Sequence, residues 1–243
     1  MPDKKKRNFS DGFFNKKVDL NEVIIFDKPD LSKIRVELTW DGTDLDLGAL
    51  LLGVDGTMAD PEDLVFYNTE RRRKTTIPFL DNPSFKPSDV FDGTTMTYDD
   101  DNAKKFYKNK RKFFKETLPL SADNAVIGSW DDITGESGEI IHILLDEVDT
   151  RKYKSIVIIA AVAPQKIKHG ETFKDAKEPV LTIYDAEDEE VLAEYSLSDS
   201  HPNDDCVCIG KLKLSEDELN WEFEPLSNGY TGGIEYVATE IYY

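Results

Sequence analysis

The chain has 243 residues, enough for one large domain or two small ones around a sizeable core. Its 49 Asp and Glu against 30 Lys and Arg leave a net charge of −19, which excludes a general nucleic-acid binder, since phosphate contacts need a basic face. The same charge argues against an anionic membrane surface and favours a cationic partner or a divalent metal held by carboxylates.

Residues 1–21 read as a polar leader in which Lys4, Lys5, Lys6 and Arg7 form a basic arm. No apolar segment follows this charge, so the start is not a secretory signal and a cytoplasmic location is expected. The longest apolar run, 156–163, is strand-sized and far short of the roughly 18 residues of a membrane span. From residue 22 to 243 the chain reads as one domain. Strand signals begin with 22–26. In 33–40, Ile34, Val36, Leu38 and Trp40 alternate strictly with polar residues, the pattern of a half-buried strand. A more fully buried strand at 49–54 closes in a turn at Asp55-Gly56, and 64–67 follows. Later strands are expected at 125–127, 139–145, 155–163, 180–184, 191–196, 206–214 and 221–223. About ten short strands separated by Gly, Asp, Asn and Pro turns predict an all-β fold, a β-sandwich with a partly helical insertion.

The insertion is 69–120. It opens with Arg71, Arg72, Arg73 and Lys74, passes through Pro78, Pro83 and Pro87, and then predicts a helix over about 102–117. Ala103, Phe106, Tyr107, Phe113 and Phe114 recur at helical spacing. Lys104, Lys105, Lys108 and Arg111 belong to its basic face, so the helix either packs on its own sandwich or docks on an acidic partner.

Catalytic motifs are absent: there is no P-loop, nucleophile elbow, paired-histidine zinc helix or dinucleotide fingerprint. His142, His169 and His201 are far apart, and His142 reads as a core or sheet-face residue. Cys206 and Cys208 lie two apart, on one face of a strand, which suits reduced thiols better than a disulfide framework or a four-ligand zinc site. No enzymatic activity is expected.

Two acidic loops are more informative. The first, 40–47, carries Asp44 and Asp46, which can aim their oxygens at one point. The second, 130–139, carries Asp131, Asp132, Glu136 and Glu139 and feeds the strand after it. Calcium takes six to eight oxygens, and two such loops meeting at one end of a sandwich would supply them, although neither has EF-hand spacing.

Asp44-Leu45-Asp46 followed by Gly48-Ala49-Leu50-Leu51-Leu52 and Asp55-Gly56 resembles the opening motif of the TerD family of tellurium-resistance and stress-response proteins. Phe66-Tyr67-Asn68, the loop Asp131-Asp132-Ile133-Thr134-Gly135-Glu136, Trp221-Glu222-Phe223 and Gly229-Tyr230-Thr231-Gly232-Gly233-Ile234 match later motifs in order. The resemblance covers 34–68 and 124–236. It implies a β-sandwich that binds calcium at one end through Asp44, Asp46, Asp131, Asp132, Glu136 and Glu139, and acts without catalysis. The second loop is shorter than the family's, and Ala163-Pro164 stands where the family tends to carry an acidic residue. The insertion and basic arm support another reading, a structural subunit of a larger assembly such as a virion. In both, protein partners are expected through 69–120 and the arm.

Overall fold

The computed structural model describes residues 6–8, 23–25, 31–73, 118–129, 131–132, 135, 138–215 and 220–243. The chain forms a β-sandwich. Its strands in order are β1 (Lys6–Asn8), β2 (Val23–Ile25), β3 (Lys33–Gly42), β4 (Leu45–Leu52), β5 (Leu64–Val65), β6 (Arg72–Arg73), β7 (Leu118–Pro119), β8 (Val126–Gly128), β9 (Glu139–Leu144), β10 (Ser155–Val162), β11 (Ala176–Asp185), β12 (Val191–Ser196), β13 (Cys206–Leu214) and β14 (Trp221–Tyr230). One sheet has the order β1-β2-β14-β13-β10-β4-β5 and the other β12-β11-β3-β9-β8. Pairings are antiparallel except that of β1 with β2. The three leader residues of β1 therefore lie at the edge of the larger sheet.

The core sits between the sheets, and β3 shows how the sequence builds it. Ile34, Val36, Leu38 and Trp40 face inward onto Leu45, Leu47, Ala49 and Leu51 of β4 and onto Ile156, Ile158, Ala160 and Val162 of β10. On the other face of β3, Arg35 is buried. Its guanidinium binds Glu37 and Glu189 and lies 4.1 Å above the Tyr184 ring, which offsets the cost of removing a cation from water. His142 on β9 pairs in register with Arg35. Burial first, and then the Arg35 charge, push its imidazole down to about 3, so it is a neutral sheet residue.

Strands β4 and β10 are buried along their whole length. The outward residues Leu50, Leu52, Val157, Ile159, Ala161, Cys206 and Cys208 form a second cluster with Ile234, Val237 and Ala238. These last three belong to a C-terminal helix, Gly233–Tyr236, that continues as a π-turn over Val237–Ile241. The helix makes a third layer over the large sheet, and this is why LGALLL and SIVIIAAV read as continuous apolar runs rather than alternating ones. Both cysteines are buried free thiols. Gly48 lets the helix seat closely, since a Cβ there would stand 2.3 Å from Ile234 Cδ1.

Element bounds differ from expectation where local composition misleads. Strand β4 begins at Leu45, four residues earlier than the apolar run suggests, so Asp46 lies on a strand and not in a loop. Strand β14 runs on through Pro225, Asn228 and Gly229 to Tyr230. It tolerates these turn residues because its pairing with β13 is irregular between Cys208 and Gly210. The insertion leaves and returns through the short ribbon of β6 and β7, with Arg72 opposite Pro119 and Arg73 opposite Leu118. The expected helix at about 102–117 lies outside the described residues. Among those residues no helix is long and apolar enough to cross a membrane.

Candidate metal centre

Strand β3 ends at Gly42 in the left-handed region (φ 93°), and Thr43 and Asp44 carry the chain across to the other sheet. The Asp44 carbonyl accepts the Ala163 N–H at 2.9 Å, tying this crossing to the end of β10. Leu45 and Leu47 turn into the core. The period of two then puts Asp46 on the opposite face of β4. Strand β5 pairs with β4 only at Ala49 and Leu50. Nearer the end, Glu139, the first residue of β9, takes over: its carboxylate accepts the Leu47 N–H at 2.6 Å.

The second acidic loop reaches the same place. Asp132 is buried and its Oδ1 accepts the Gly135 N–H at 3.2 Å. Gly135 has φ 73°, and a Cβ there would stand 2.3 Å from the Trp40 carbonyl oxygen. Only glycine allows the two loops to pack so closely. The result brings carboxylate oxygens of Asp46, Asp131 and Glu139 within 4.8 Å of one another.

The electrostatics of this cluster are unusual for a folded interior. Asp46 is 1% exposed and Glu139 2%. Neither oxygen of Asp46, nor Oε1 of Glu139, nor Oδ1 of Asp44 meets a hydrogen-bond donor among the described residues. A buried carboxylate without donors is costly as an anion. Accordingly, burial, and then the charges of Asp44 and Asp131, push Asp46 up to about 8. Burial, followed by Asp46, holds Glu139 well above the usual carboxylate range. Burial and Asp131 raise Asp44 to about 6, against the opposing pull of Lys166 and a 3.1 Å hydrogen bond from Gln165 Nε2. Asp131 is raised by burial and by Asp132. Three converging carboxylates, two of them with orphaned oxygens, fit a hard cation, which takes oxygen ligands and removes their repulsion.

Of the residues singled out in the sequence, Asp46, Asp131 and Glu139 converge. Asp44 adjoins them with one oxygen on Gln165, and Asp132 serves the loop through Gly135. Glu136 lies outside the described residues, as do Lys104, Lys105, Lys108 and Arg111 of the expected partner face. Sequence reasoning missed Gln165 and Lys166, which follow Ala163-Pro164 on a short helix, Pro164–Ile167. No local signal marks them, because only the register of β10 against β4 brings them to Asp44. Tyr67 was quoted only as part of a motif. Its phenol is held above the ordinary range by burial and then by the charges of Asp46, Asp131, Glu139 and Asp44, which places it beside the cluster.

Comparisons with known proteins agree with this fold. The crystal structure of SAV2460, a protein of unknown function, superposes with a TM-score of 0.56 at 17% identity, covering 85% of this chain and 94% of that one. A homologue of the telluride resistance protein TerD, SCO6318 from Streptomyces coelicolor, superposes with a TM-score of 0.55 at 14% identity, covering 86% and 96%. At these identities the likeness is one of fold. Among curated proteins none matches the sequence. The TerD domain profile matches residues 15–94 and 90–241, nearly the whole chain. This protein belongs to the TerD family.

Proposed function

We infer that the protein binds calcium at Asp46, Asp131 and Glu139, with Asp44 and Asp132 alongside, and acts as a TerD-like stress-response or tellurium-resistance protein through metal and partner binding. The observation that carries this reading is Asp46, a buried carboxylate with no donor on either oxygen among the described residues. Folding leaves it a deficit that a cation removes. Calcium suits the cluster better than magnesium, because it accepts an irregular oxygen shell while magnesium demands a small octahedral one. Bound there, the cation would neutralise the carboxylates and clamp the end of β4 to the start of β9.

Calorimetric titration of the full chain with calcium tests the reading, with Asp46→Asn as the control. One site of saturable heat in the wild type, lost in the variant, is expected. Terbium offers a second probe, since Tyr67 beside the cluster would sensitise its luminescence. No heat at millimolar calcium and no sensitised terbium emission would overturn the reading.

The partner part of the reading is supported by the β6–β7 ribbon, which brings the two ends of the segment 74–117 together on the sandwich. Loops on a rigid scaffold carry recognition more often than cores do. Reversing Lys104, Lys105, Lys108 and Arg111 to Glu should weaken capture of an acidic partner, in a way that salt mimics. Capture that survives this reversal would assign the partner contact elsewhere.

A further inference from the structure

At the same end of the sandwich a second constellation stands apart from the carboxylate cluster. His201 caps the short helix Leu197–Ser200, which links β12 to β13. Its Nδ1 lies 3.0 Å from Asp204 Oδ2 and its Nε2 2.7 Å from Ser227 Oγ on β14. Sequence distance hid the group, since Ser227 is 26 positions from His201. In order along the hydrogen bonds the three are a carboxylate, an imidazole and a hydroxyl, the arrangement in which an imidazole takes a proton from a serine while a carboxylate holds its other nitrogen.

Two features show that the surrounding backbone is shaped to this arrangement. Ser227 sits in the irregularity of β14 opposite Ile209, with φ 51°, a left-handed conformation uncommon for a non-glycine residue that the bulge sets at this point of the strand. Gly229, two residues on, has no room for a side chain: a Cβ would stand 1.9 Å from Asp204 Oδ2 and 2.9 Å from His201 Nδ1. The turn that carries His201 and Asp204 is itself fastened. Thr172 Oγ1 and the Lys174 N–H donate to the Pro202 carbonyl, and the Phe173 N–H donates to the Asp204 carbonyl. The group is also reachable, because Pro202, Asn203, Asn228 and Gly229 around it are exposed.

We propose that Ser227 is a nucleophile, activated by His201 as general base with Asp204 as its positioning residue, and that it acts on small activated carboxylic esters at the surface. In the first step Ser227 Oγ bonds to the acyl carbon and its proton passes to His201 Nε2. The bond from that carbon to the leaving oxygen breaks, and the leaving group takes the proton. Water then repeats the sequence, and the acyl group departs as a carboxylic acid. The site is three strands away from Asp46 across the order β14-β13-β10-β4, roughly 14 Å at the usual strand spacing, so the two sites are separate.

The test uses the full wild-type chain and a fluorophosphonate probe, with the labelled residue located by mass spectrometry. Labelling at Ser227 in the folded protein, and not in the urea-unfolded chain, is expected. Ser227→Ala should abolish it, and His201→Gln should slow it about 100-fold or more, the usual contribution of a general base. Asp204→Asn should lower kcat for p-nitrophenyl acetate while leaving KM within about twofold, a split that a merely structural role would not produce. Folding of each variant is checked by its circular dichroism. A wild-type protein labelled no faster than the unfolded chain, or a folded His201→Gln variant labelled as fast as wild type, overturns the proposal.

Discussion

Two buried aspartates in this sandwich, Asp63 and Asp46, have opposite surroundings. Asp63 is fully buried and well satisfied. Its Oδ2 accepts the Ala59 and Asp60 N–H groups, each at 3.1 Å. Its Oδ1 accepts from the Tyr153 hydroxyl and from Lys152 Nζ at 3.2 Å. Asp46, equally buried, has other carboxylates for neighbours and no donor on either oxygen among the described residues. Burial therefore does not by itself mark a functional carboxylate. The distinguishing quantity is whether the fold supplies the counter-charge, as it does for Asp63, or leaves it to something that binds.

The largest expected effect comes from breaking the satisfied site. Asp63→Ala leaves the buried Tyr153 phenol without its acceptor, at about 1–3 kcal/mol, and removes the reciprocal cap on the Asp60 N–H, at about 0.5–2 kcal/mol. A loss of about 3 kcal/mol or more is expected in urea unfolding at neutral pH. A loss below about 1 kcal/mol would show that Asp63 does not hold the β5 end as its hydrogen bonds suggest.

Next is the unsatisfied site with its cation. Calcium at a hundredfold excess over its dissociation constant should stabilise the chain by about 2.7 kcal/mol, which for this size raises Tm by about 2–4 °C per kcal/mol. Asp46→Asn should remove most of that rise. Without calcium the same substitution should leave the protein as stable as wild type or more so, the opposite of the Asp63 result, because it removes a carboxyl that the metal-free fold has to keep protonated. Thermal scans with calcium and with a chelator check both statements.

The pH dependence has a definite sign. An ordinary aspartate titrates near 3.8, while folded Asp44 and Asp46 are raised to about 6 and about 8. Between these limits the folded metal-free chain holds protons that the unfolded chain has released. Its stability should therefore fall as pH rises from about 4 to about 8. The calcium increment should grow over the same window, since the cation replaces those protons. Unfolding curves at several pH values, with chelator and with calcium, should diverge as pH rises. Parallel curves would contradict the shifts.

The smallest effect concerns the edge of the cluster. Gln165→Glu puts a carboxylate beside Asp44 in place of the amide that donates to it at 3.1 Å. Calcium affinity should rise severalfold, on the order of 1 kcal/mol for one added charged contact, while the metal-free protein loses a similar amount. Calorimetry on the variant measures the first and urea unfolding the second.

Much of this architecture was legible along the chain. The alternation in β3 follows from one buried face, and the unbroken runs of β4 and β10 follow from burial on both. The TerD motifs located both acidic segments, and Gly135 in the second is explained by its contact with Trp40. The rest depends on register. Whether Asp46 is loop or strand is decided by the pairing of β4 with β10, where Asp46 stands opposite Ala161, and an acidic residue in an apolar strand carries no local sign of that. The same pairing brings Gln165 and Lys166 to Asp44. The choice of Asp131 over its neighbour Asp132 for the cluster is made by the loop's hydrogen bond to Gly135, which turns Asp132 to other work. Sequence determines which residues are apolar, at what period, and where a backbone must bend. Which polar atoms meet donors inside, and which are left without them, is decided only when strands close against one another, because those distances are set by partners tens to more than a hundred positions away.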